Sequence, residues 1–195
     1  AFLNGKSVVS ANKKMIAEHL PELLELQQTT GTSFLYEAAC CASIPVIRNL
    51  EEYYDNDLLH SINAVVNGST NYILTKMFEE KLSFKNALIQ AQQLGFAESN
   101  PALDVEGYDA LNKWTFLLTH AYGILPKKGE ISFTGIQSIT SEDALQAAKK
   151  DCVIKLVAYA KKLNNGKVAA FVLPQFVKKE DQLAFIKNEY NGVVI

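Results

Sequence analysis

Residues 91–113 read AQQLGFAESNPALDVEGYDALNK, and the rest of the chain is best read outward from them. On the left they finish a helix: Ser83 caps it, Ala87, Leu88, Ala91 and Leu94 share one face, and Gly95 is placed to end it. A loop holding Pro101 and Gly107 follows, and it concentrates Glu98, Asp104, Glu106 and Asp109. On the right the spacing predicts an apolar helix over 108–122. Asp109 and Lys113 stand four apart on it and share a face, acid on the N-terminal side. On a solvated helix such a pair is worth a few tenths of a kcal/mol. Here the lysine is followed by Trp114, Phe116, Leu117 and Leu118. A helix that apolar is buried, and a buried lysine needs partners. A lysine beside carboxylates in a partly dry site can move a proton.

Further out, residues 6–10 read as a short buried strand and 15–28 as a helix broken at Pro21. Residues 33–39 have strand composition, and 45–54 look like a helix opened by proline. Residues 60–66 alternate as a half-buried strand closed by Asn67-Gly68, after which Ser69 or Thr70 caps a helix running to Glu79. Ser141 caps another helix. Periodicity leaves 153–163 open between strand and helix; 168–177 reads as a strand interrupted by Pro174, and 192–195 as a strand. Strands and helices mix without a steady βαβ rhythm, so the expected class is α+β (mixed α/β), a sheet covered by helices.

The 195 residues carry 19 basic and 21 acidic side chains, a formal charge of −2, with 48% apolar residues. That balance fits a globular protein and argues against a nucleic-acid partner, which usually meets a basic face. No stretch approaches the roughly 20 apolar residues of a membrane span. Cys40, Cys41 and Cys152 are too few for a disulfide framework and suit buried thiols in a reducing cytoplasm. His19, His60 and His120 form no zinc-like spacing. No two of the ten glycines stand closer than six residues, so neither GxGxxG nor GxxxxGK[ST] occurs. Without such a loop the chain has no usual cradle for a pyrophosphate.

Eleven positions of the quoted stretch (Ala91, Gly95, Phe96, Ala97, Asn100, Pro101, Asp104, Val105, Gly107, Asp109 and Lys113) match the signature of homoserine dehydrogenases. Residues 8–13 (VVSANK), 34–38 (FLYEA), 44–47 (IPVI), 67–74 (NGSTNYIL) and 191–194 (NGVV) also resemble that family. The resemblance implies interconversion of L-homoserine and L-aspartate 4-semialdehyde, with NAD or NADP carrying the hydride, in the threonine and methionine branch of the aspartate pathway. It implies a homodimer in the cytoplasm. Lys113 would be the proton-transfer residue with Asp109 beside it. Glu98 and Asp104 would hold the substrate, with Gly68 and Ser69 in its pocket, and Lys13 would lie near the nicotinamide. A monovalent cation such as sodium would sit at Glu37 with the carbonyls of Cys40, Ala42 and Ile44. Residues 1–36 would be the trailing edge of a dinucleotide-binding domain, and 37–195 the catalytic and dimerisation domain.

The sequence departs from the family in three places. Cys40-Cys-Ala-Ser43 replaces a glycine-containing turn, so Cys41 and Ser43 would have to adopt its backbone with a Cβ. Phe96 stands where many relatives have tyrosine, and Asn100 where aspartate is commoner. The expected protein is therefore a homoserine dehydrogenase fragment, inactive alone for want of a cofactor fold; the absent initiating methionine agrees. The competing expectation is a stand-alone module that binds an amino acid or dimerises. The missing nucleotide loop favours it, and the intact Glu98, Asp104, Asp109 and Lys113 set opposes it.

Overall fold

The computed structural model describes residues 1–54, 59–127 and 129–195. In chain order it forms β1 (Val8–Val9), α1 (Lys13–Thr30), β2 (Phe34–Leu35), α2 (Val46–Tyr53), β3 (Ser61–Val65), α3 (Gly68–Glu79) and α4 (Phe84–Gln93). Then come α5 (Ala102–Val105), α6 (Tyr108–Tyr122), β4 (Ser132–Phe133), α7 (Ser141–Lys149), β5 (Cys152–Lys162), β6 (Val168–Lys178) and β7 (Gly192–Val194). The class is the expected one, a mixed α/β protein. Five strands form one sheet in the order β4-β6-β5-β3-β7, antiparallel except for β4 against β6, while β1 and β2 pair separately in parallel.

Residues 153–163 settle as strand. Ile154, Leu156, Ala158 and Ala160 of β5 pack one sheet face against α3, α6 and α7. Val157 on the other face joins Val65, Val177, Leu183 and Ala184 in a second apolar cluster. With both faces covered at its centre, β5 carries apolar residues at odd and even positions alike, which erases the period of two. β6 runs through Pro174 without interruption. Pro174 faces Leu156 of β5, whereas β4 reaches only Phe171 and Val172, so no neighbour on that side needs its missing N–H.

Four local expectations are corrected. The first strand is short and its Val9 is 78% exposed, not buried. Residues 33–39 give only the two-residue β2, then a 3₁₀ turn over Glu37–Ala39. α3 is capped by Asn67, whose side chain accepts the Thr70 N–H, and not by Ser69 or Thr70. α7 is capped by Thr140 in a reciprocal capping box with Asp143, not by Ser141. The break expected near Pro21 is present: His19 has a non-helical backbone (φ −125°, ψ 15°) that kinks α1 into two helical pieces, with Pro21 in the first turn of the second.

Candidate active site

β3 runs straight into α3, and this crossover sets Val66 and Asn67 opposite the start of α6. Gly107, at φ +89°, makes the turn between α5 and α6, where an L side chain would be strained and the backbone of Thr134 lies close. α5 and α6 thereby present Asp104 and Asp109 side by side toward Asn67.

Lys113 is 6% exposed; its Nζ donates to the Val66 carbonyl at 2.6 Å and pairs with Asp109 Oδ2 at 2.7 Å. Lys13, at the start of α1, reaches Asp109 Oδ1 at 3.4 Å. Burial would raise the Asp109 carboxyl, but the Lys113 charge and hydrogen bond, a hydrogen bond from Asn67 and the Lys13 charge together hold it below the usual carboxylate range. The Asn67 amide nitrogen donates to Asp104 Oδ1 at 2.7 Å and to Asp109 Oδ2 at 2.9 Å. Since Asn67 does the capping, Ser69 Oγ is left to face the Phe96 carbonyl at 2.6 Å and Asp104 Oδ2 at 3.0 Å.

Of the residues expected in the site, Lys113, Asp109, Asp104, Ser69 and Lys13 thus come together. Glu98 does not join them. It is exposed, and its carboxylate has no partner among the described residues. Gly68 is beside the site, yet its own close neighbour is the Glu189 backbone, whose carbonyl oxygen would lie 2.5 Å from an added Cβ. Glu37 stands apart from these groups in the hydrogen-bond pattern: its two oxygens accept the Ile47 and Arg48 N–H groups at 2.9 and 3.0 Å and so cap α2. In the turn that follows, the left-handed residue is Ala42 (φ +54°), not Cys41 or Ser43, and the two thiols lie 3.7 Å apart.

Asn67 and the Val66 carbonyl were missed as site groups. The sequence signal was an Asn-Gly pair after an alternating strand, which reads first as a turn. The Asn67 partners lie 37 and 42 residues away.

Fold and site together define a mixed α/β protein with a lysine–carboxylate cluster gathered where its central strand β3 meets α3. The sequence model of the homoserine dehydrogenase family matches residues 45–195, and the chain belongs to that family. A homoserine dehydrogenase of Synechocystis is 36% identical, covering 100% of this chain and 46% of the relative. That of Helicobacter pylori is 37% identical over 97% of this chain and 44% of the relative. The crystal structure of a homoserine dehydrogenase from Thiobacillus denitrificans superposes with a TM-score of 0.92 at 34% identity, covering 98% of this chain and 44% of that one. A hyperthermophilic archaeal homoserine dehydrogenase in complex with NADPH gives 0.83 at 32% identity, covering 100% and 56%. The chain therefore spans under half the length of these curated relatives. Among the described residues no helix is long and apolar enough to cross a membrane.

Proposed function

We propose that this chain is the substrate-binding part of an NAD(P)-dependent homoserine dehydrogenase, which interconverts L-homoserine and L-aspartate 4-semialdehyde in threonine and methionine biosynthesis. The observation that carries the reading is the Lys113 ammonium. It has three donors, and the Val66 carbonyl and Asp109 take two. The third would face the substrate oxygen: the ammonium would give it a proton as the semialdehyde is reduced. In the reverse direction the neutral amine, still donating to Val66 and Asp109, would take the hydroxyl proton on its lone pair. Asp109 fixes the lysine. Asp104, held by Asn67 and Ser69, would receive the substrate ammonium, and Glu98 would have to swing in from solvent to help.

The residues present suit only the reacting end of a nicotinamide cofactor. Lys13 is 41% exposed at its side chain and faces the cluster, whereas the sequence offers no glycine loop for phosphates. When bound, the nicotinamide would supply hydride transfer at the hydroxyl-bearing carbon. The separate two-stranded β1–β2 sheet, with Val9 and Leu35 exposed, supports assigning residues 1–36 to the cofactor domain and 37–195 to the catalytic one. On this reading the 195-residue chain alone does not turn over.

A sodium ion at Glu37 would have to use second lone pairs. The Glu37 oxygens already accept two N–H groups, and the Ile44 carbonyl accepts that of Val46 at 2.8 Å. For the homodimer we favour a cytoplasmic enzyme pairing through the sheet. Its edge strands β4 and β7 are two and three residues long. The face carrying the stacked Tyr159 and Phe171 rings, both half-buried, offers a broader apolar surface.

The test is Lys113→Ala in the full-length enzyme. Loss of acid–base catalysis lowers kcat about 10²–10⁴-fold, while cofactor affinity, read by fluorescence titration, stays within twofold. A loss of tenfold or less rejects Lys113 as the proton-transfer residue.

A further inference from the structure

The segment 186–190 lies along α3 as a strap. The Glu189 backbone rests on Gly68. Asn71 Nδ2 donates to the carbonyls of Ile186 and Tyr190, each at 3.1 Å. The Asn188 N–H donates to Thr75 Oγ1 at 3.1 Å, and Lys187 pairs with Glu79 at 2.6 Å. Positions 68, 71, 75 and 79 recur at three or four residues, so the strap follows a single helix stripe. Lys155 reaches this stripe from β5. It is 3% exposed, and its Nζ donates to Asn71 Oδ1 at 2.8 Å and to the Ile186 carbonyl. No carboxylate among the described residues forms an ion pair with it.

A buried ammonium answered only by neutral oxygens is a poor stabiliser. Two charge-assisted hydrogen bonds gain about what withdrawing the ammonium from water costs. Burial in fact pushes the amine down from 10.5 to about 8, against the pull of Glu79 and with repulsion from Lys187 adding to it. What Lys155 does supply is geometry. It grips both Asn71 and the strap, one turn beyond Asn67 and Ser69, which hold Asp104 and Asp109.

We propose that Lys155 is a positioning residue for the substrate pocket, clamping the strap to the first turns of α3 so that Asn67 and Ser69 meet the two carboxylates. This rests on the reading of that pocket as the homoserine site. In the full-length enzyme, Lys155→Met should raise the KM for homoserine about tenfold, in line with a displaced binding group, and leave the cofactor KM within twofold. By hydrogen exchange, the Thr70 amide, which reports the Asn67 cap, should exchange at least tenfold faster than in the wild type. A purely structural role would reduce only the amount of active enzyme. An apparent kcat that falls with both KM values and the Thr70 rate unchanged therefore overturns the proposal, as does no change at all. Should Lys155→Met not fold, Asn71→Ala cuts the same clasp from its other side and must show the same KM split. If the wild-type enzyme does not oxidise homoserine, the reading of the pocket is what fails. The Thr70 exchange rate then decides the clamp by itself, and an unchanged rate overturns it.

Discussion

Asn67→Asp separates what Asn67 donates from what it accepts. Aspartate caps a helix as well as asparagine, so the bond from the Thr70 N–H survives. The two donated bonds do not. A carboxylate oxygen would stand where the amide nitrogen now lies, 2.7 Å from one Asp104 oxygen and 2.9 Å from one Asp109 oxygen. Even relaxed to 4 Å, each like-charge pair costs about 4 kcal/mol at an effective dielectric of 20. The loss has a ceiling, because the new acid can bind a proton instead. Protonating an ordinary aspartic acid at pH 7 costs about 4 kcal/mol, and at pH 5 only about 1.5 kcal/mol. The protonated acid has one donor where the amide had two, so about 1.5 kcal/mol more is lost at either pH. Between pH 4 and 7 the folded variant holds a proton that the unfolded chain releases, so its stability falls as pH rises. At about 2–4 °C per kcal/mol for a chain this long, the deficit in Tm against wild type should be about 5–10 °C larger at pH 7 than at pH 5. Thermal unfolding followed by circular dichroism at both pH values measures it, with Asn67→Ala as the uncharged control. A deficit that does not change with pH, or one below about 1 kcal/mol at pH 7, refutes the placement of Asn67 between the two carboxylates.

Gly68→Ala ordinarily favours a helix, but its Cβ would meet the Glu189 carbonyl oxygen at 2.5 Å and would have to displace the strap. The expected outcome is a net loss of about 1–3 kcal/mol in denaturant unfolding; an unchanged or raised midpoint contradicts the close approach. The lowered Lys155 value gives a second pH signature of opposite sign. Above about pH 8 the folded chain releases a proton that the unfolded lysine keeps up to about 10.5, so the burial penalty, complete below pH 8, is relieved as pH rises. Wild type should gain on Lys155→Met at up to about 1.4 kcal/mol per pH unit in this window, measured as the difference in unfolding free energy at pH 7.5 and 9.5, and a flat difference rules it out.

How far the sequence carried the structure depended on the distance over which each feature is decided. α6 runs over Tyr108–Tyr122 as expected, because its apolar spacing and the glycines at both ends are local. The caps of α3 and α7 slipped by one to three positions, since Asn67, Ser69 and Thr70, like Thr140 and Ser141, all have side chains able to cap. At α3 the tertiary partners of Asn67 and Ser69 chose among them, and at α7 the local capping box with Asp143 did. Lys113 with Asp109 was legible from helical spacing and Trp114. The exposed position of Glu98 was not, because the residue types of a loop say nothing of where it points.

The hub of the site was hidden for a chemical reason as well as a topological one. Between two carboxylates and a helix N-terminus, a side chain must donate twice and accept once within a short reach. Serine has one donor, and aspartate has none when ionised. Lysine and arginine cannot accept, so they would leave the Thr70 N–H unanswered. Asparagine meets all three demands, and it does so without adding charge beside Lys113 and Lys13. A neutral hub adds no negative charge beside Asp109, which pairs with both lysines. Position 67 is thus set by the joint demands of two segments about forty residues downstream, and neither demand is visible until β3, α3 and α6 have packed together.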